Sequence, residues 1–276
     1  RVWGPCVQLY GLRSRRNWGM GDFSDLKQLV GLSADAGGGI VGINPLHALF
    51  PDNPEHISPY SPSSRSAMNA LYLDVEAVPE FAECAEVREL VAAPAFQAEL
   101  RALRAEPLVN HPGVAAVKRD VLARLYRHFR ERHLEPGTPH ARGFLEFRRQ
   151  AGQPLERLAL YDTLQAHFRA ADPATWGWPV WPEAYRDPAA ATVAEFAAEH
   201  KEEVDFHAWL QWQADLQLAA VGQESWRRGL GVGLYGDLAV GANPCGAEVW
   251  SWQQVFARGA YAGAPPEEIN LNGQDW

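Results

Sequence analysis

Cysteine is scarce in this sequence. Cys6, Cys84 and Cys245 are an odd number, lie far apart, and form neither a CxxC pair nor a zinc-ligand spacing. That argues against a disulfide framework and for a reducing compartment, hence a cytoplasmic protein. Long apolar runs are missing too. No stretch approaches the roughly 18 apolar residues of a membrane span, so no membrane partner is expected. Positive charge is in deficit: 25 Lys and Arg stand against 34 Asp and Glu, a net charge of −9. Nucleic acid binding needs clustered cations to neutralise phosphates, so nucleic acid is not an expected partner. HExxH, GxSxG and P-loop signatures are absent. The chain opens at Arg1 without a Met or a signal-type segment, which reads as an internal boundary.

What is present is ordinary globular material: 276 residues, 47% apolar and 21% charged. Eleven Trp stand out, nine of them between Trp176 and Trp276. An indole carries a broad apolar face and one N–H donor. Most are expected in cores, and an exposed one would suit the apolar face of a sugar ring.

The pattern along the chain predicts an α/β fold. Residues 5–10 read as a strand, Asp22 as the N-cap of a helix through Leu32, Gly37–Gly39 as its stop, and residues 40–44 as a second strand closed by Pro45. Strand, helix, strand is a βαβ unit and implies a parallel sheet. Gly37 to Gly42 spells GxGxxG, but it ends a helix and enters a strand, the reverse of a dinucleotide site. Residues 46–66 read as a loop and 70–75 as a short extended stretch. Residues 78–205 read as a helical subdomain punctuated by Pro107, Pro136, Pro139 and Pro154, with an apolar stripe from Val114 to Phe129. A further helix spans about 204–228, and residues 232–238 form a third core strand. The expected units are therefore 1–77, 78–205 and 206–276.

A (β/α)8 barrel takes about 250 residues, and here nearly half the chain is helical insert. Three strands do not close a barrel. The expectation is an incomplete (β/α)8 TIM barrel, first strands only, with a large helical insertion.

Functional candidates cluster where such folds place their chemistry, beyond the C-terminal ends of the strands. The run from Ile57 to Arg65 is dense in hydroxyls and rigid prolines, and Tyr60 offers a ring to stack on a sugar. Asp237 ends the third strand. Glu248 follows, and Asp237 with Glu248 is the evident local carboxylate pair for glycosyl transfer, which needs two. His128 and His133, five apart on a helix, are not expected to share a face or a metal. Arg124, Arg127, Arg130 and Arg132 read as a solvated face.

Several stretches resemble the 4-α-glucanotransferases (amylomaltases) of glycoside hydrolase family 77: VQLYGLRSRRNWGMGDFSDL at 7–26, GINPLHALFPDNPEHISPYSPSSR at 42–65, WGWPVWPEAY at 176–185, EVDFHAWLQWQ at 203–213, GLYGDLAVG at 233–241 and GAPPEEINLNGQDW at 263–276. The resemblance implies transfer of α-1,4-glucan segments between maltodextrins, or to glucose, by retaining double displacement without a cofactor or metal. It implies substrate contacts for Ser58, Tyr60, Ser61 and Asp237 on the donor side and for Gln274 and Trp276 on the acceptor side. Asn44, Pro45 and His47 would shape the pocket.

One departure qualifies it. The family's nucleophilic aspartate lies in an RxDH motif, and no Arg-x-Asp-His occurs here. The acid/base and transition-state-stabilising motifs are missing as well. No catalytic residue is therefore assigned. The chain is expected to be inactive alone, to aggregate through an open strand edge, and to need the remainder of the barrel as a partner. The alternative is a non-catalytic glucan-binding remnant.

Overall fold

The computed structural model describes residues 2–257, 259–260 and 262–275. Three strands form a parallel sheet in the order β1 (Cys6–Val7), β2 (Ile40–Ile43), β5 (Gly233–Gly236). Helix α1 (Phe23–Asp35) makes the first crossover. Its start is built as the sequence implies. The Asp22 carboxylate accepts from Asp25 N–H at 3.0 Å, and Asp25 returns the bond to Asp22 N–H at 3.1 Å. The helix stops where Gly37 takes a positive φ of 82°.

The second crossover, from β2 to β5, carries everything between. It opens with an antiparallel pair, β3 (His47–Ala48) on β4 (Ser64–Met68). The stretch expected to be one loop is thus a hairpin with residues 49–63 at its tip. Residues 70–75 are not one extended stretch. They fold into 3₁₀ turns at Ala70–Tyr72 and Val75–Ala77 with only Leu73 and Asp74 extended between, because the Asn69 and Asp74 side chains accept from Leu71 and Glu76 N–H at 3.0 and 3.2 Å.

Helices α2 (Pro79–Glu83), α3 (Ala85–Ala92), α4 (Pro94–Ala105), α5 (His111–Phe129), α6 (Pro139–Ala171), α7 (Ala191–Glu199) and α8 (Lys201–Arg227) follow. Helix α6 is two runs meeting at Gly152, with Pro154 just beyond. After β5 come α9 (Ala247–Ser251) and a small antiparallel pair, β6 (Gly263–Ala264) and β7 (Gln274–Asp275).

A continuous core runs from the sheet (Leu9, Val41, Ile43) through α1 into α5, α6 and α8 (Leu125, Phe144, Trp209). A second core gathers Phe50, Tyr161, Trp178, Trp181 and Trp250. Among the described residues, six Trp, at 18, 178, 181, 209, 212 and 250, are buried. Buried Lys118 on α5 spends its charge on two carbonyls, Leu71 and Leu73, each at 2.7 Å, and so fastens the 3₁₀ turns to the helix.

One expectation about α5 is overturned. A π turn over Arg130–Leu134 continues the helix, and a π turn brings residues five apart into line. His128 and His133 therefore do share a face, and both reach Glu83 Oε2, at 3.6 and 2.7 Å. Among the described residues, no group of three His, Cys, Asp or Glu is placed to hold a metal.

Candidate functional site

A cleft of about 520 Å³ opens at the C-terminal ends of β2 and β5, against α8. Its wall includes Ile43, Asn44, His47, Arg65, Asp215 and Asp237. Parallel pairing sets the floor: Asp237 N–H bonds the Ile43 carbonyl at 3.0 Å, so the carboxylate emerges where the sheet ends.

Asp237 meets Tyr60 there. The Tyr60 hydroxyl donates to Asp237 Oδ2 at 3.0 Å, and Oδ1 accepts from Leu238 N–H at 2.8 Å. That bond to the carboxylate, ahead of any burial, raises the phenol above its usual range. Tyr60 is 55% exposed, so its ring is open to a ligand.

The tip carrying Tyr60 is held by a lattice of bonds to the segment after β5. Ser61 Oγ accepts from the Asn243 amide at 3.0 Å, and Pro62 O from Asn243 N–H at 2.7 Å. Ser63 Oγ accepts from Ala247 N–H at 3.0 Å, and Ser63 O from Glu248 N–H at 2.9 Å. Gly246 is required at this closure, since a Cβ there would sit 2.6 Å from Ser63 O. Glu248 accepts from three nitrogens of Arg65, from the guanidinium Nη2 and the backbone N–H, each at 2.7 Å, and from Nε at 3.2 and 3.3 Å. Arg65 Nη1 also bonds Val240 O at 2.9 Å. Both Glu248 oxygens are occupied in fastening the tip, so Glu248 does not stand as the free partner of Asp237 that local spacing suggested.

Asn44 is buried and acts as scaffold. Its Oδ1 accepts from Leu9 N–H at 2.7 Å, and its amide donates to Pro45 O and Tyr72 Oη. His47 Nε2 accepts from Ala239 N–H at 3.3 Å. Burial, then the nearby Arg65 cation, pushes the imidazole below its usual range, against the pull of Glu248 and Asp237.

Among the expected substrate contacts, Tyr60, Ser61 and Asp237 are brought together. Ser58 is exposed beside them, its carbonyl accepting from Ser61 N–H at 3.2 Å. Gln274 is exposed in the separate β6–β7 pair. Trp276 lies outside the described residues. Arg65, Ser63 and Asn243 were not anticipated. Arg65 closes the hydroxyl-rich run, but its partner is 183 residues away, and no local pattern announces that distance.

A family model described as 4-alpha-glucanotransferase matches residues 7–276. The chain is 38% identical over 279 residues to the 4-alpha-glucanotransferase of Haemophilus influenzae, covering all of this chain and 40% of that protein. It is 39% identical over 289 residues to that of Mycobacterium tuberculosis, covering all of this chain and 37% of the relative. The chain thus spans about two fifths of the length of these relatives. Among solved structures, amylomaltase from Corynebacterium glutamicum superposes with a TM-score of 0.76 at 31% identity, over 99% of this chain and 35% of that one. Amylomaltase from Streptococcus agalactiae, solved with acarbose, gives the same TM-score at 17% identity, over 100% and 52%.

Proposed function

The chain belongs to the 4-alpha-glucanotransferase family, and on that premise we propose that its cleft is the donor-side part of a maltodextrin site. The Tyr60–Asp237 bond at the mouth of the cleft carries this reading. An exposed ring offers an apolar platform to one face of a glucose unit. A carboxylate beside it accepts from sugar hydroxyls, since each Asp237 oxygen keeps lone pairs beyond the single bond it has. Ser61 accepts from Asn243 and still has its own O–H to give, and Ser58 lies exposed alongside. On this reading Gln274 and Trp276 belong to the acceptor side, where glucose or a second maltooligosaccharide enters.

The whole reaction would be transfer of an α-1,4-glucan segment by retaining double displacement, through a glycosyl-enzyme intermediate. That chemistry needs one carboxylate as nucleophile and another as acid/base. Asp237 is bonded to Tyr60, Glu248 is neutralised by Arg65, and the sequence holds no Arg-x-Asp-His. We therefore propose that the 276 residues bind glucan and do not transfer it by themselves. The barrel would be completed by further strands against the open edge of β5, where Tyr235 and Leu238 are 62% and 67% exposed.

Titration calorimetry with maltotriose tests the binding. Tyr60→Ala and Asp237→Asn should each weaken it by about tenfold or more, on the order of 1.4 kcal/mol. Unchanged affinity in both variants would remove Tyr60 and Asp237 from the site. Incubation with maltotriose should yield neither glucose nor longer glucans, and their appearance would overturn the second half of the proposal.

A further inference from the structure

The segment leaving β5 is pinned at alternate amides. Asp237 N–H bonds the Ile43 carbonyl, the last rung of the β2–β5 ladder. The next amide of the same phase, Ala239 N–H, finds no backbone acceptor, because the chain turns away from β2 at Pro45. It bonds the ring of His47 instead, at 3.3 Å. Ala239 is 1% exposed, so water does not readily replace that acceptor. Two residues on from Asp237, the imidazole thus ends the ladder and fixes the path of the strand exit.

An acceptor role constrains the ring. Nε2 must carry a lone pair, so the neutral ring holds its proton on Nδ1. Protonation at Nε2 turns the acceptor into a donor, and two N–H groups then face each other in a buried position. The charged groups around the ring come from each neighbouring element: Arg65 on β4, Asp237 at the end of β5, Glu248 on α9 and Asp215 on α8, which lines the same cleft. Arg65 is paired with Glu248 at 2.7 Å, so the Glu248 carboxylate is already committed to a cation and is not free for an imidazolium.

We propose that His47 is a positioning residue for the donor site, whose neutral ring holds Ala239 and through it Asp237 in place beside Tyr60, and whose protonation releases the strand exit and weakens glucan binding. The proposal rests on the reading of the cleft as a maltodextrin site, and its structural half stands without it. His47 need not touch the sugar. It acts on the geometry of Asp237, and it gives binding an acid limb that burial and the Arg65 cation place below the usual histidine range.

The test uses the full chain with His47→Ala and His47→Gln. A glutamine places an amide oxygen within reach of the same N–H and does not titrate. The first readout is amide hydrogen exchange at Ala239 without ligand, corrected for intrinsic rate, from about pH 7.5 to about pH 4. In the wild type, protection should fall as pH drops. In His47→Ala it should be low throughout, by about tenfold, and in His47→Gln it should be restored and flat. The second readout is maltotriose affinity. His47→Ala should lose about tenfold at neutral pH, His47→Gln should bring most of that back, and the acid limb should vanish in His47→Gln. Unchanged Ala239 protection in His47→Ala, or an acid limb that persists in His47→Gln, overturns the proposal. If protection responds as described but maltotriose binds none of the proteins at any pH, the positioning role stands and the sugar-site reading fails.

Discussion

Asp162 on α6 and His207 on α8 face each other inside the protein, with Nδ1 and Oδ2 3.8 Å apart and each residue at least nine-tenths buried. Burial dominates both titrations. It lifts the Asp162 carboxyl well above its usual range, aided by Asp52, and pushes His207 down to about 3. His207 is therefore neutral near pH 7, and Asp162 Oδ1 has no hydrogen-bond partner among the described residues. The signs oppose each other. The depressed His207 contributes stability that is present above about pH 6.5 and is lost as pH falls toward 3. The raised Asp162 contributes fully below about pH 4, and its contribution is lost as pH rises through the raised value. Asp162→Asn removes the second effect alone. It should raise the thermal midpoint at pH 7, and the gain should vanish near pH 4. Calorimetric melts at both pH values check this.

Arg16 shows the opposite case, charges that need each other. It bonds Asp22, lies 3.1 Å from Asp25 and 2.7 Å from Asp74, and all three carboxylates are buried. Asp25 also serves the α1 cap and accepts from the Asn17 amide at 2.8 Å. Asp25→Ala should cost about 2–4 kcal/mol in a denaturant titration, because it removes half a capping box and leaves Asn17 without that acceptor.

Among the elements, α6 and α8 are long but differently interrupted. Gly152 bends α6 with φ 58° and ψ −146°, a backbone region that residues with a Cβ avoid. Gly222 sits inside α8, where an added Cβ would meet nothing within 4 Å. The two glycines predict opposite outcomes for the same change. Gly152→Ala should destabilise by about 1–3 kcal/mol. Gly222→Ala should stabilise by about 0.5–1 kcal/mol through helix propensity. Thermal melts of the pair separate the two cases. Neither outcome could be read from the residues alone: the glycines look alike, and only their dihedral angles and surroundings differ.

For the whole molecule, the open edge is the dominant fact. Parallel sheets are normally buried on both faces, yet Tyr235, Leu238 and Val240 along the β5 exit are each more than half exposed. An unpaired parallel edge beside apolar side chains invites further strands. The purified chain should self-associate as its concentration rises, and Tyr235→Lys with Leu238→Lys should suppress that. Light scattering across a dilution series checks it, and a wild-type chain monomeric at high concentration would contradict it.

Much of this was legible along the chain. The βαβ unit, the Asp22 cap, the glycine stop at Gly37, the helical middle and the third strand all rest on short-range physics, where apolar spacing and backbone preference act over a few residues. So did the placing of Tyr60 and Asp237 beyond strand ends. The family motifs carry the resemblance on which the proposed chemistry rests. What the chain alone left open depends on partners far apart. Tyr60 finds Asp237 177 residues on, and Arg65 finds Glu248 183 residues on. His128 and His133 share Glu83 only because a π turn shifts their register. Such pairings are decided by which surfaces the cores bring together, since a polar side chain takes its partner from whatever packing places within about 3 Å. Sequence pattern determined where the candidate site would lie, and tertiary packing decided which of its groups are left exposed and which are spent on holding the others in place.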